Sequence, residues 1–119
     1  MEIKKEIKND SYAIKIMLEE NEKIFGWAFV YIMFQDRHPE PYAYLENVYV
    51  EQKYRSQGFG KKLVELAIEE AKERGCYKII GTSKTEKTLV HDLYEKYGFR
   101  KMGYEFRLDL KETKILTKD

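Results

Sequence analysis

The apolar positions of this chain change their spacing halfway along it. Up to residue 50 they alternate or run together, with many β-branched and aromatic members and no sustained helical stripe, which predicts strands. Residues 3–7 form a short first strand and Asn9-Asp10-Ser11 a turn, after which Tyr12, Ile14, Ile16 and Leu18 line one face of a second strand. Glu20-Asn21-Glu22 turns the chain into a long strand over 23–34, so 12–18 and 23–34 read as a β-hairpin. Both prolines stand in Arg37-His38-Pro39-Glu40-Pro41, which predicts a loop, and 42–50 is a further strand.

Beyond residue 58 the period becomes helical. Phe59, Leu63, Leu66, Ala67 and Ala71 share one stripe over 58–74, Lys61, Lys62, Glu65, Glu69 and Lys72 lie off it, and Gly75 caps the end. A short strand over 77–80, a helix over 86–97 ending at Gly98, and a last strand over 104–110 complete the pattern. A meander followed by strand, helix, strand, helix and strand predicts an α/β (α+β) domain, with helices on a mixed, mostly antiparallel sheet.

Composition narrows the function. With 119 residues the chain is the size of one domain, 1–119, and its 14% aromatic content and net charge of +1 fit a folded chain rather than a disordered one. The same near-neutral balance, with Lys and Glu interspersed along the helices, disfavours nucleic acid as a partner. No apolar run is long enough for a membrane span, the start Met1-Glu2-Ile3-Lys4-Lys5 is unlike a secretory leader, and the single Cys76 has no disulfide partner. A cytoplasmic protein is expected. Neither His38 nor His91 has Cys, Asp or Glu at ligand spacing, so no metal is expected.

The stretch Arg55-Ser56-Gln57-Gly58-Phe59-Gly60-Lys61 carries the chemistry, because it joins a strand to a helix. Glycines at such a junction let the backbone approach a ligand, and the first helical turn offers free N–H groups and the positive end of the dipole. Arg55 and Lys61 or Lys62 then favour a phosphate or pyrophosphate. Lys62 after Lys61 excludes a Walker loop, and Leu63 excludes the Gly-x-Gly-x-x-Gly dinucleotide fingerprint. Taken alone, two glycines before a helix serve a plain turn as readily.

Three separated strings agree on more. Leu45-Glu46-Asn47-Val48-Tyr49-Val50, then Arg55-x-x-Gly58-x-Gly60 opening a helix, then Tyr94-Glu95-Lys96-Tyr97-Gly98-Phe99 resemble the GNAT acetyltransferase superfamily over residues 24–110. The resemblance implies acetyl-CoA as cosubstrate and an N-acetyltransferase activity. It implies that residues 55–61 (Arg55, Ser56, Gln57, Gly58, Phe59, Gly60, Lys61) wrap the pyrophosphate, and that Val48, Tyr49 and Val50, on a strand splayed from its neighbour, offer backbone groups to the pantetheine arm. It makes Tyr94 the acid for the departing thiolate and Glu46 the first candidate for the base that deprotonates the amine. His91 is a second relay candidate, whereas Cys76 reads as an inert packed thiol and His38 as a surface residue. Gly75-Cys76-Tyr77-Lys78-Ile79-Ile80, with Glu46, is further similar to the glucosamine-6-phosphate N-acetyltransferase branch. Asn47 and Gly81-Thr82-Ser83 depart from that branch, so the cofactor chemistry carries over and the sugar phosphate does not.

The superfamily places one or two helices between its first strand and the hairpin, and here only a turn joins residues 7 and 12, so the N-terminal part is shortened. That leaves the acceptor side open unless a second subunit closes it, and Tyr31, Tyr42, Tyr44, Tyr49 and the strand 104–110 suit a homodimer. The acceptor is an amine, on a small molecule or a protein. The competing reading is a non-catalytic CoA-binding or regulatory module of the same fold.

Overall fold

The computed structural model describes residues 1–114 and 116. The chain divides into two compact units, Met1–Gly81 and Thr82–Asp119. In the first, strands β1 (Tyr12–Glu20), β2 (Lys23–Gln35), β3 (His38–Val50) and β4 (Ile79–Gly81) form one sheet in the order β1-β2-β3-β4. The first three run antiparallel, and β4 lies parallel to β3. A 3-10 turn (Gln52–Tyr54) and helix α1 (Phe59–Glu73) make the crossover between β3 and β4. The second unit holds helix α2 (Thr88–Lys96). This is the mixed α+β architecture expected from the change of period.

The β1–β2 hairpin closes through Asn21 and Glu22, at φ 53° and 64°, between the paired Glu20 and Lys23. Two successive positive φ values give a turn whose twist matches that of the strands. Across the sheet, period-2 alternation puts Ala28, Val30 and Ile32 of β2 and Ala43 and Leu45 of β3 on one face. On α1, Leu63, Val64, Ala67 and Ala71 recur at helical spacing and cover that face. These nine residues and Phe25 are at most 4% exposed and form the core. Full burial of Val30, Ile32, Leu45 or Leu63 contributes about 1.5–3 kcal/mol each. Gly75, at φ 75°, ends the helix region.

The opposite face carries Trp27, Phe29 and Tyr31 of β2 beside Tyr49, Glu46 and Tyr44 of β3, with the aromatic residues half-buried. Core and aromatic surface are thus separated by the pleat.

Four expectations need correction. Residues 37–41 are not a loop: a two-residue turn, Asp36-Arg37, joins Gln35 to its partner His38, and β3 runs on through both prolines. The ladder skips from Gln35↔His38 to Met33↔Tyr42, so Pro39, Glu40 and Pro41 stand opposite Phe34 alone. A bulge there removes the need for the N–H groups that proline lacks. Residues 3–7 and 104–110 are not strands either, and their apolar side chains are exposed. Alternation prepares a face, but a strand also needs a neighbouring backbone to bond, and neither segment has one among the described residues. The short strand is shifted to Ile79–Gly81, because Tyr77 N–H instead donates to the Pro41 carbonyl ahead of the ladder.

Candidate active site

The site begins where β3 loses its outer neighbour. β4 pairs only with Ala43, Tyr44 and Leu45, so from Glu46 onward that edge of β3 has no strand beside it among the described residues. At the same place the β2 register jumps from Phe29↔Glu46 to Trp27↔Tyr49, leaving Ala28 opposite both Asn47 and Val48. This two-against-one arrangement is a β-bulge, with Asn47 at φ 55°. Asparagine enters the left-handed region more cheaply than most side chains, which accounts for its presence here. The bulge was not anticipated, although an Asn inside an apolar strand was its signal.

After the bulge, Val48 and Val50 lie on the α1 face and Tyr49 on the aromatic face beside Trp27, with ring centroids 4.7 Å apart. Tyr54 of the 3-10 turn stacks on Phe25 at 4.2 Å, and Phe59 meets Phe25 edge-on at 5.0 Å. This three-ring cluster anchors both ends of the loop that carries Arg55 to Gly58. Arg55 Nε donates to the Val50 carbonyl at 2.7 Å, and its guanidinium lies 5.4 Å from the Tyr49 ring centroid. Ser56 at φ 64° and Gly58 at φ 88° turn the chain into α1.

Gly58 is the N-cap and supplies no side-chain bond, and the first helical bond is Lys62 N–H to its carbonyl. The N–H groups of Phe59, Gly60 and Lys61 therefore have no intrahelical acceptor. A cleft of about 240 Å³ opens over them, lined by Val48, Val50, Tyr54, Arg55, Ser56, Gly58, Phe59 and Gly60. A Cβ on Gly58 or Gly60 would meet nothing within 4 Å, so the backbone there faces open space. Free donors, a cation held alongside and no side chain in the way fit a pyrophosphate. The volume suits that group with a stretch of its arm rather than a whole nucleotide thioester.

The cleft gathers seven of the ten residues expected to hold the cofactor. Tyr49 lies on the other face, Gln57 turns its amide back to the Lys53 carbonyl at 3.4 Å, and Lys61 is not part of the lining. Tyr54 lines the cleft without having been foreseen. Glu46 is exposed on the aromatic face, paired with Phe29, and so sits across the sheet from the cleft. Tyr94 belongs to the second unit, half-buried on α2 and 5.1 Å from the Phe99 ring, and burial pushes its phenol above the usual 10.0. His91 Nε2 donates to the Lys84 carbonyl at 2.9 Å, which ties down the loop before α2 and occupies that nitrogen. His38 stacks on Tyr77 at 3.8 Å, and burial raises the half-buried Cys76 thiol, as an inert thiol requires.

A glycine-gated helix N-terminus beside the outer edge of a strand is an arrangement whose chemistry fits a phosphate-bearing ligand. The chain belongs to the acetyltransferase (GNAT) family, whose profile matches residues 2–99. Among curated relatives it is 43% identical over 68 residues to a glucosamine 6-phosphate N-acetyltransferase of Trypanosoma brucei brucei, covering 57% of this chain and 44% of that protein. It is 38% identical over 70 residues to N-alpha-acetyltransferase 30 of Saccharomyces cerevisiae, covering 59% and 40%. The chain thus spans less than half the length of these two relatives. Among solved structures it superposes on a Trypanosoma brucei acetyltransferase with a TM-score of 0.70 and 33% identity, over 84% of this chain and 69% of that one.

Proposed function

We propose that this protein is an N-acetyltransferase that moves the acetyl group of acetyl-CoA directly to an amine. The observation that carries the reading is the open backbone cradle at Gly58 and Gly60, with Arg55 alongside and the strand end Val48–Val50 leading out of it. The family match covers the first compact unit and reaches into the second as far as residue 99, which supports taking the chain as one acetyltransferase domain, 1–119.

In this reading the N–H groups of Phe59, Gly60 and Lys61 and the Arg55 guanidinium bind the pyrophosphate. The backbone of Val48, Tyr49 and Val50, whose edge away from β2 has no strand beside it among the described residues, orients the pantetheine arm. Acetyl-CoA supplies a thioester whose carbonyl carbon the amine attacks. Glu46, on the opposite face, takes the proton that the amine must lose. Tyr94, a phenol that burial pushes further above its ordinary value, donates its proton to the leaving sulfur. The acceptor is a small-molecule or protein amine, and the two curated relatives act at chemically different amines. The working form is a cytoplasmic homodimer.

Titration calorimetry with acetyl-CoA, followed by thiol release with a panel of amino sugars, small amines and peptides, tests the reading. Saturable binding and amine-dependent thiol release are expected. Binding without transfer to any amine would favour the non-catalytic module, and absence of binding would overturn the reading altogether.

A further inference from the structure

The last residue of β3 turns a hydrogen-bond acceptor away from the sheet. Glu51 N–H donates inward, to the Phe25 carbonyl of β2 at 2.8 Å, and among the described residues no peptide bond is cis. The Val50 carbonyl belongs to the same trans peptide group, so it points the opposite way, out along the edge that β4 does not reach. Arg55 Nε takes the place of a donor from a neighbouring strand and bonds this carbonyl at 2.7 Å. One of the five N–H donors of the guanidinium is used in this way, and the far end of its fork is left for a ligand.

That bond anchors the guanidinium without fixing the direction of its plane. A second contact does so: the Tyr49 ring centroid lies 5.4 Å from the guanidinium carbon, within the range at which a cation is held over an aromatic face. Tyr49 reaches this place through the bulge. Tyr42, Tyr44 and Glu46 share the aromatic face before it, and because Asn47 and Val48 stand opposite one residue, the alternation changes phase and the odd-numbered Tyr49 occupies that face after it. The ring then packs on Trp27 at 4.7 Å, and Lys15 Nζ of β1 stands 5.0 Å from the Trp27 centroid. Cation, ring, ring and cation form a row from β1 through β2 and β3 to the glycine loop, all of it within the first compact unit.

Arg55 is an exposed side chain, and a free arginine gives up much rotamer freedom when it settles on an anion. Held by the Val50 carbonyl and over the Tyr49 ring, it has given up that freedom before an anion arrives. We infer that Tyr49 is a positioning residue for the acyl donor: the face of its ring holds the Arg55 guanidinium beside the N–H groups of Phe59, Gly60 and Lys61, ready for the pyrophosphate. This role rests on the cofactor reading proposed above, and it gives a side chain on the far face of the sheet a part in binding at the cleft. It also accounts for arginine at position 55, since the ammonium of a lysine cannot bond Val50, lie flat on a ring and still present a fork to a phosphate.

The test is a double-mutant cycle on the intact chain, read by titration calorimetry with acetyl-CoA. Arg55→Ala should weaken binding by about tenfold to a hundredfold, the loss of a charge-assisted contact. Tyr49→Leu keeps apolar bulk and removes the ring face; it should weaken binding by about threefold to fivefold in the native background and by less than about 1.5-fold in Arg55→Ala, because its effect runs through the guanidinium. Tyr49→Phe keeps the face and should recover what leucine loses. Arg55→Lys changes only an exposed residue and leaves the Tyr49–Trp27 packing in place; it should bind about fivefold or more weaker than the native chain despite its full charge. Equal losses from Tyr49→Leu in both backgrounds, no recovery with Tyr49→Phe, or native affinity in Arg55→Lys would each overturn the positioning role and leave the cofactor reading standing. A native chain that binds no acetyl-CoA would overturn both.

Discussion

Gly60→Leu separates the two things a glycine at a helix start can do. In α1 this position has ordinary helical geometry and nothing within 4 Å of where a Cβ would lie, so the fold gives no reason for glycine. Leucine is a better helix former than glycine by about 0.8 kcal/mol in a helix interior, and in the first turn about 0.5 kcal/mol of that should remain. For a domain of this size the unfolding midpoint should then rise by about 2 °C. The same side chain projects into the cleft over the N–H groups of Phe59 and Lys61 and displaces whatever they hold. Losing one charge-assisted hydrogen bond, at about 1.5–3 kcal/mol, should weaken acetyl-CoA by about tenfold to a hundredfold. Thermal unfolding and titration calorimetry on the same preparation read both effects. Unchanged affinity in a folded variant would show that the cradle is not the pyrophosphate seat, and a loss of more than about 1 kcal/mol in stability would show that the position is not open space.

Further outcomes are expected at three residues. Tyr94→Phe should lower kcat about tenfold to a hundredfold with little change in the acetyl-CoA dissociation constant, because it removes a proton donor and not a binding group. Since burial holds the folded phenol above its unfolded value, the native state keeps a proton that the unfolded chain loses: Tyr94 should destabilise the protein only as pH rises above about 10, and denaturant titrations of Tyr94→Phe should lack that part of the alkaline loss. Asn47→Val should cost about 1–2 kcal/mol by forcing a β-branched residue to φ 55°, whereas Asn47→Gly should be nearly neutral, as urea midpoints will show. Gly26→Ala should cost about 1–3 kcal/mol, because its Cβ would press within 3.1 Å of the Tyr49 carbonyl oxygen and 3.3 Å of Leu18 Cδ1.

The elements with their own periodicity were legible. The long hairpin strands, α1 with its stripe through Leu63, Ala67 and Ala71, and Gly58 at the helix start are all patterns that a few neighbouring residues impose by themselves. What escaped depends on residues distant in sequence. The Asn47 bulge exists because β2 spends one residue where β3 spends two, and the prolines stay in β3 because Phe34 alone stands opposite Pro39, Glu40 and Pro41. Residues 104–110 alternate as faithfully as β1 does, yet β1 has β2 to bond and they have no strand among the described residues. In the candidate site the glycine loop was readable from composition and position. The separation of Glu46 from the cleft required the pleat and the bulge together, and Tyr54 was hidden because an aromatic residue in a loop has no period to betray it.

The sheet assigns different duties to its two sides. The buried core and the cradle share the α1 face, so a change there risks both folding and cofactor. Glu46 and the rings of Trp27, Phe29, Tyr31, Tyr44 and Tyr49 stand on the side that contributes no fully buried residue. Substitutions on that side can accumulate at little cost to stability, so under the proposed function the acceptor side, Tyr49 apart, is free to diverge while the cradle for the acyl donor stays the same.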